Sequence, residues 1–148
     1  NKINLRLMIV GRGINLISMK NYIDDNSLKK IVKIKNFTNN PFPFIKKSNL
    51  FILSSTFEGL PNVLLETLVL KKFIISSKCQ TGPSEILLNG KGGLLFDVKN
   101  YKKLASKILY YFHNRNKCKK LLQNSLKSLH RFDSKKNLKK YQDLFKKL

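Results

Sequence analysis

The sequence predicts an α/β fold: a doubly wound parallel sheet followed by C-terminal helices. Short, continuously apolar runs alternate with stretches of helical spacing as far as Asp97, and after Asp97 only helical spacing remains. Strands that are apolar on both faces belong to parallel sheets covered by helices on each side. The first run, residues 5–10, ends at Gly11-Arg12-Gly13 and reads as a buried strand entering a turn. Leu16, Met19, Tyr22 and Ile23 then share one face of a helix expected over residues 14–28. Residues 31–34 form the second expected strand, and the Asn- and Pro-rich stretch 36–43 reads as a loop. A third strand is expected at 50–53 and a connection at 54–60. The helix that follows is expected to run from Pro61, whose fixed φ suits the first helical position, to Leu70. Residues 73–76, 84–88 and 94–96 read as strand, short helix and strand, with Gly90, Gly92 and Gly93 supplying the last turn. Beyond Asp97, Tyr101, Leu104, Ala105, Ile108, Leu109 and Phe112 recur at helical spacing and are expected to face the core. Leu121, Leu122, Leu126 and Leu129, and then Leu138, Tyr141, Leu144 and Phe145, mark two further amphipathic helices with Lys on their outer faces.

A chain of 148 residues suits one domain. The 42% hydrophobic content excludes a disordered tail, and no apolar run approaches the roughly 20 residues that span a bilayer. The start, Asn1-Lys2-Ile3-Asn4, has neither an initiator Met nor a secretory pattern, so a beginning inside a longer protein is expected. The formal charge is +22, from 30 Lys+Arg against 8 Asp+Glu, and 26 of the 30 are Lys. Lys excess of this kind, with abundant Asn and Ile, follows from an AT-rich genome, so much of the charge is composition. Such a chain still attracts polyanions and anionic membrane surfaces without sequence preference. Specific nucleic-acid recognition is disfavoured, because zinc-finger spacing, an RNP-like aromatic motif and an Arg cluster are all absent. Cys79 and Cys118 read as free thiols of a reducing compartment.

The chemistry is concentrated in the acidic residues. The chain has three glutamates, Glu58, Glu66 and Glu85, all within 28 residues and all near the ends of the third and fourth expected strands. Ligands of doubly wound sheets bind in the crevice at those carboxyl ends. In Glu58-Gly59-Leu60-Pro61-Asn62-Val63-Leu64-Leu65-Glu66, Gly59 permits a tight turn and Pro61 sets the first helical φ. The N–H groups of Asn62, Val63 and Leu64 then face the crevice as a phosphate-favouring helix start. Asn62 and Glu66 share a helix face, while Val63 and Leu68 are expected to fill the core. A carboxylate among leucines requires donors, which sugar or ribose hydroxyls supply. The plainer reading is that Glu58 complements the helix dipole, worth about 0.3–1 kcal/mol, and that Glu66 is an exposed polar position. In Thr81-Gly82-Pro83-Ser84-Glu85-Ile86-Leu87, Gly82 permits close backbone approach and Ser84 is the expected helix cap.

Other chemistries are disfavoured. Glu58 and Glu66 are separated by about 12 Å of helix rise, more than the roughly 5–9.5 Å of a glycosidase pair. Gly11-Arg12-Gly13 lacks the third glycine and the acidic ribose ligand of a dinucleotide fingerprint. Asp24-Asp25 lacks an acidic partner, His113 and His130 stand apart from both cysteines, and a G-x-S-x-G elbow is absent, so metal and serine-hydrolase chemistry are not expected.

Three stretches, in order and at matching spacing, resemble the retaining glycosyltransferases of family 4, which have the GT-B fold. They are Leu7-Met8-Ile9-Val10-Gly11-Arg12-Gly13, the Ser54-to-Glu66 segment with seven residues between its two glutamates, and Thr81-Gly82-Pro83-Ser84-Glu85-Ile86-Leu87 with Gly90 and Gly93-Leu94-Leu95. The resemblance covers nearly the whole chain and implies the C-terminal, donor-binding domain: residues 1–100 as its Rossmann-like part and 101–148 as its closing helices. It further implies a nucleotide-sugar donor, UDP-linked, with retention and no metal. Glu58 would hold the donor sugar's hydroxyls and serve as the catalytic group, and Glu66 would hold the ribose. The donor-binding residues would be Gly59, Leu60, Pro61, Asn62, Val63, Leu64 and Glu66, with the backbone N–H groups between Leu60 and Leu64 approaching the sugar and diphosphate, Gly11, Phe37, Gly82 and Glu85 as donor-site neighbours, and residues 36–40 near the base.

Two family features are missing from these residues: the basic pair that neutralises the diphosphate, expected before Asn1, and the N-terminal acceptor domain. Asn36 also stands where a glycine is usual. The isolated chain is therefore expected to bind nucleotide without catalysing. Lys78-Cys79-Gln80-Thr81-Gly82-Pro83-Ser84-Glu85 is most similar to bacterial members that build lipopolysaccharide, capsule or lipid-linked oligosaccharide from hexoses or N-acetylhexosamines at the cytoplasmic face of the membrane. The alternative is a non-catalytic basic module, or a decayed fragment, that binds polyanions.

Overall fold

The computed structural model describes residues 4–146. Residues 1–3, on which the expected chain start falls, and residues 147–148 lie outside the described part. The chain divides into two compact units, with the boundary between Pro43 and Phe44.

In the first unit, β1 (Leu7–Val10) pairs in parallel with β2 (Val32–Lys35), Leu7 opposite Val32 and Val10 opposite Lys35, and α1 (Leu16–Asp25) connects them. Ile23 is buried, but Tyr22 and Met19 are exposed, as are Leu7 and Met8 of β1. The expectation of a buried first strand is therefore corrected. Among the described residues β1 has a single strand partner in a two-stranded sheet, and one short helix cannot cover both faces of so small a sheet. The expected loop at 36–43 is also shorter than read, because α2 (Phe42–Lys47) begins inside it. The Asn40 side chain accepts the Phe42 N–H at 3.2 Å, and Pro43 sits where an early helical turn tolerates proline.

The second unit carries the core. β3 (Leu50–Leu53), β4 (Phe73–Ser77) and β5 (Leu94–Phe96) form a parallel sheet in the order β3-β4-β5, with Leu50 opposite Phe73 and Ile75 opposite Leu94. Alternation along each strand divides the apolar side chains between two faces. Phe73, Ile75, Leu94 and Phe96 pack with Tyr111 and Cys118 on one side. On the other, Ile74 packs with Leu64 and Leu68 of α3 (Asn62–Val69) and with Ile86 of α4 (Pro83–Ile86). Every residue of β4 is buried, as a central strand covered on both faces requires.

Three helices complete the unit: α5 (Tyr101–His113), α6 (Arg115–Ser128) and α7 (Ser134–Phe145). Caps fix two of the starts. The Asn100 side chain accepts the Lys103 N–H, and the Asp133 side chain accepts the Lys136 N–H, each at 2.9 Å. The expected α5 stripe is rotated. Tyr101 is 74% exposed and Leu109 49%, whereas Tyr111, outside the expected stripe, is 5% exposed. Leu104, Ile108, Tyr111 and Phe112 are the residues that meet the sheet. Tyr111 stacks on Phe73 with ring centroids 5.1 Å apart, and its hydroxyl donates to the Asn49 carbonyl at 2.5 Å. A phenol with a buried partner gives both packing and a hydrogen bond, which decides the helix rotation. α6 approaches the turn before β5 so closely that a Cβ on Gly92 would lie 1.9 Å from Ser125 Oγ. That hydroxyl donates to the Gly92 carbonyl at 2.9 Å. The apolar residues of α7, namely Leu138, Tyr141, Leu144 and Phe145, are exposed. No helix among the described residues is long and apolar enough to cross a membrane.

Both cysteines are free and buried, and burial pushes the Cys118 thiol above its ordinary range against the opposing pull of Arg115. A buried protonated thiol is a poor nucleophile. Thiol reagents should therefore label Cys79 and Cys118 of the native chain slowly and label both promptly in denaturant; equal rates in the two conditions would contradict this core. Leu64→Ala, at a fully enclosed position, should cost about 2–5 kcal/mol in urea unfolding, whereas Leu109→Ala should fall within about 0.5 kcal/mol of the parent.

Candidate functional site

The site is built where β3 and β4 end. After Leu53 the chain runs through an irregular segment to Pro61, then enters α3. Pro61 is the N-cap, with φ −72° and ψ 101°, one position earlier than expected, and it offers no side-chain cap. The Leu64 N–H turns back to the Pro61 carbonyl at 2.9 Å, so it is not free as expected, and the Leu64 side chain is core. The Asn62 and Val63 N–H groups remain as helix-start donors, because the first turn of a helix has no carbonyl behind it. The buried set of α3 is Leu64, Thr67 and Leu68, while Val63, expected in the core, is half-buried.

Glu58 is half-buried and held by two hydrogen bonds. Ser55 Oγ donates to Glu58 Oε1 at 2.6 Å, and Thr81 Oγ1 donates to the Glu58 carbonyl at 2.7 Å. Ser55 is itself anchored, since its carbonyl accepts from Ser77 Oγ at 2.6 Å and from the Cys79 thiol at 3.2 Å. These bonds join the segment after β3 to the segment after β4. Among the described residues Ser55 is the one partner of the Glu58 carboxylate, which leaves Oε2 and further lone pairs to accept hydroxyls.

Backbone packing reinforces the link. Gly82 has φ +79°, and a Cβ there would lie 1.8 Å from the Gly59 carbonyl oxygen and 2.7 Å from Pro61 Cδ. Only glycine fits a left-handed conformation pressed against another main chain. Gly59, by contrast, faces open space, and Leu60 and Asn62 are exposed. Gly82, not Ser84, caps α4; the Ser84 hydroxyl sits in the first turn, buried and unpartnered among the described residues.

Glu58, Gly59 and Pro61 thus meet Thr81 and Gly82. Glu66 is half-buried one helical turn into α3, and among the described residues nothing bonds its carboxylate. Glu85 is exposed and offers its backbone carbonyl to Arg131 at 2.9 Å. Gly11 and Phe37 belong to the first unit, where Gly11 N–H donates to the Lys35 carbonyl and the Arg12 guanidinium lies 4.7 Å over the Phe37 ring. Sequence reasoning missed the Ser55, Ser77, Cys79 and Thr81 network. Its signal was a pair of hydroxyls, Ser76-Ser77, closing an apolar strand, since buried hydroxyls need partners.

A family profile described as glycosyl transferases group 1 matches residues 1–128. The chain belongs to this family. As a group 1 glycosyltransferase chain it is 42% identical over 84 residues to a glycosyltransferase of Methanocaldococcus jannaschii, which is 57% of this chain and 21% of that protein. It is 31% identical over 99 residues to the N-acetylgalactosamine-N,N'-diacetylbacillosaminyl-diphospho-undecaprenol 4-alpha-N-acetylgalactosaminyltransferase of Campylobacter jejuni, covering 67% of this chain and 27% of that one. Among solved structures, HepE of Anabaena in complex with UDP superposes with a TM-score of 0.86 at 19% identity, over 97% of this chain and 41% of that chain. The fold is that of the GT-B glycosyltransferases. The group 1 chain thus spans roughly a quarter of these curated relatives, 21% and 27% of their lengths.

Gly82→Ala should destabilise the second unit by about 3 kcal/mol or more, from positive-φ strain together with the main-chain clash. Hydrogen exchange in residues 54–61 should accelerate, and an unchanged urea midpoint would refute the close packing of the two segments.

Proposed function

We propose that this chain is the donor-binding part of a retaining glycosyltransferase that moves a hexosyl or N-acetylhexosaminyl group from a UDP-linked sugar to a glycan or lipid-linked acceptor. The observation that carries the proposal is the Glu58 carboxylate, fixed by Ser55 yet open at Oε2, beside an α3 start with unsatisfied N–H groups, in a chain of this family. A carboxylate with free lone pairs accepts sugar hydroxyls, and a helix start accepts phosphate.

In this reading Glu58 orients the donor sugar at its hydroxyls. The N–H groups of Leu60, Asn62 and Val63 stabilise the negative charge that develops on the leaving diphosphate, the electrostatic contribution that usually dominates such transfers. Glu66 accepts from the ribose hydroxyls. Glu85 is a donor-site neighbour, as is Gly82, which acts through the position of Gly59 and Pro61. No divalent metal belongs to this reading: the α3 start stabilises the diphosphate through its N–H groups and its positive helix end. An N-terminal acceptor domain supplies the second half of the active site, so the 148-residue chain binds donor without turnover. The Campylobacter relative, named for a diphospho-undecaprenol acceptor, supports a lipid-linked acceptor, and the +22 charge supports work at an anionic cytoplasmic membrane face.

UDP should slow hydrogen exchange across residues 54–66. Glu66→Ala should weaken UDP by about tenfold or more, since a hydrogen bond to a charged group contributes about 1.5–3 kcal/mol. Glu58→Gln should retain UDP but lose the added affinity of the UDP-sugar. Salt-sensitive nucleic-acid binding with no nucleotide effect would favour the basic, non-catalytic module instead, and sugar transfer by the isolated chain would remove the need for an acceptor domain.

A further inference from the structure

At the opposite edge of the three-stranded sheet from Glu58 lies a second cleft. It lies beside the N-terminal ends of β3 and β4, is open to solvent and has a volume of about 310 Å³. Strands of four or five residues place it about 15 Å from the carboxyl ends that carry Glu58. Ser48, Asn116, Lys71, Lys72, Arg115 and Lys119 contribute to its lining. Among the described residues no carboxylate lines it, and the one salt bridge, Lys29 to Asp24, lies in the other unit. Four cations therefore share one concave surface with no counter-charge.

The arrangement is more specific than a Lys-rich surface. Arg115, one of four arginines in the chain, sits against two rings, its guanidinium carbon 4.1 Å from the Tyr111 ring centroid and 5.7 Å from that of Phe112. A guanidinium held against aromatic rings is restrained, and a guanidinium can donate two parallel N–H bonds to an oxyanion. Arg115 also opens α6, whose first turn has no acidic residue and whose Asn114 makes no side-chain cap, so cation and positive helix end coincide. Lys71 occupies a left-handed position, φ +56°, where α3 closes with Lys71 N–H donating to the Leu68 carbonyl and Lys72 N–H to that of Thr67. Glycine is the usual residue at such a position, and lysine accepts strain to stand there.

We propose that this cleft is a binding site for a phosphate monoester or phosphodiester group, separate from the donor site and independent of the transferase reading. The four cations surround the anion, with Arg115 donating through its guanidinium edge while Ser48 and Asn116 complete the polar wall.

The test titrates the 148-residue chain with inorganic phosphate, and separately with phosphatidylglycerol-containing and pure phosphatidylcholine vesicles, following residue-resolved amide shifts. Saturable shifts should appear at Ser48, Lys71 and residues 115–119. Lys71→Gly removes a cation while relaxing its backbone, so loss of folding cannot mimic loss of the site. Lys71→Gly with Lys119→Gln should weaken phosphate about tenfold, whereas Lys139→Gln with Lys140→Gln, of equal net charge, should change it less than about twofold. Displacement of phosphate by phosphatidylglycerol vesicles but not phosphatidylcholine vesicles assigns the ligand to a lipid headgroup; saturable phosphate binding without such displacement assigns it to a soluble phosphate ester. Equal weakening in both double variants, or shifts that do not saturate, overturns the proposal.

Discussion

Main chain touches main chain between the segment after β3 and the segment after β4, and the candidate site depends on that contact. With room for no atom beyond hydrogen on Gly82, the Gly59 carbonyl and Pro61 ring rest directly on the α4 turn. Thr81 is thereby brought to the Glu58 carbonyl, and Ser77 and Cys79 to that of Ser55. A carboxylate on an isolated loop would sample many positions. Here its loop is tied to a wholly buried strand, so the order of β4 is transmitted to Glu58. Sites held by a rigid element in this way lose less entropy when a ligand docks.

The two ends of the strands carry different charged groups. The carboxyl edge gathers Glu58 and the α3 start, while the amino edge gathers Lys71, Lys72, Arg115 and Lys119. A parallel sheet enforces the separation, because every strand begins at one edge and ends at the other. With 30 basic residues against 8 acidic ones, the placement of the few acids is more informative than that of the many bases. The same reasoning singles out Arg115, since a guanidinium held against Tyr111 is restrained, whereas a solvated lysine is not.

Periodicity located the second unit closely. The strands at 50–53 and 94–96 match the observed β3 and β5, and the helix entered at Pro61 differs by one residue at each end. These elements were legible because β4 and its neighbours are covered on both faces, which leaves an uninterrupted apolar signature. The first strand carried the same signature without the same burial, since hydrophobicity reports what a segment can cover and not how much cover it receives. The α5 stripe failed for a related reason. Tyr101 and Leu109 fit the helical period as well as Tyr111 does, but Tyr111 alone reaches both Phe73 and the Asn49 carbonyl.

By itself the sequence determined the alternation of strands and helices, the clustering of three glutamates near the ends of two strands, and the glycine and proline positions that shape the turns. Those are local properties, set by side-chain volume, backbone freedom and spacing along the chain. Tertiary structure decided which partners complete the site: Ser55 on the Glu58 carboxylate, Thr81 on its carbonyl, and Gly82 against Gly59. It also decided which face of α5 is buried and which cations share a cleft. Apart from the local Ser55 bond, these contacts join residues some 20 to 60 positions apart, and a hydroxyl in the sequence does not reveal which distant carbonyl it will meet.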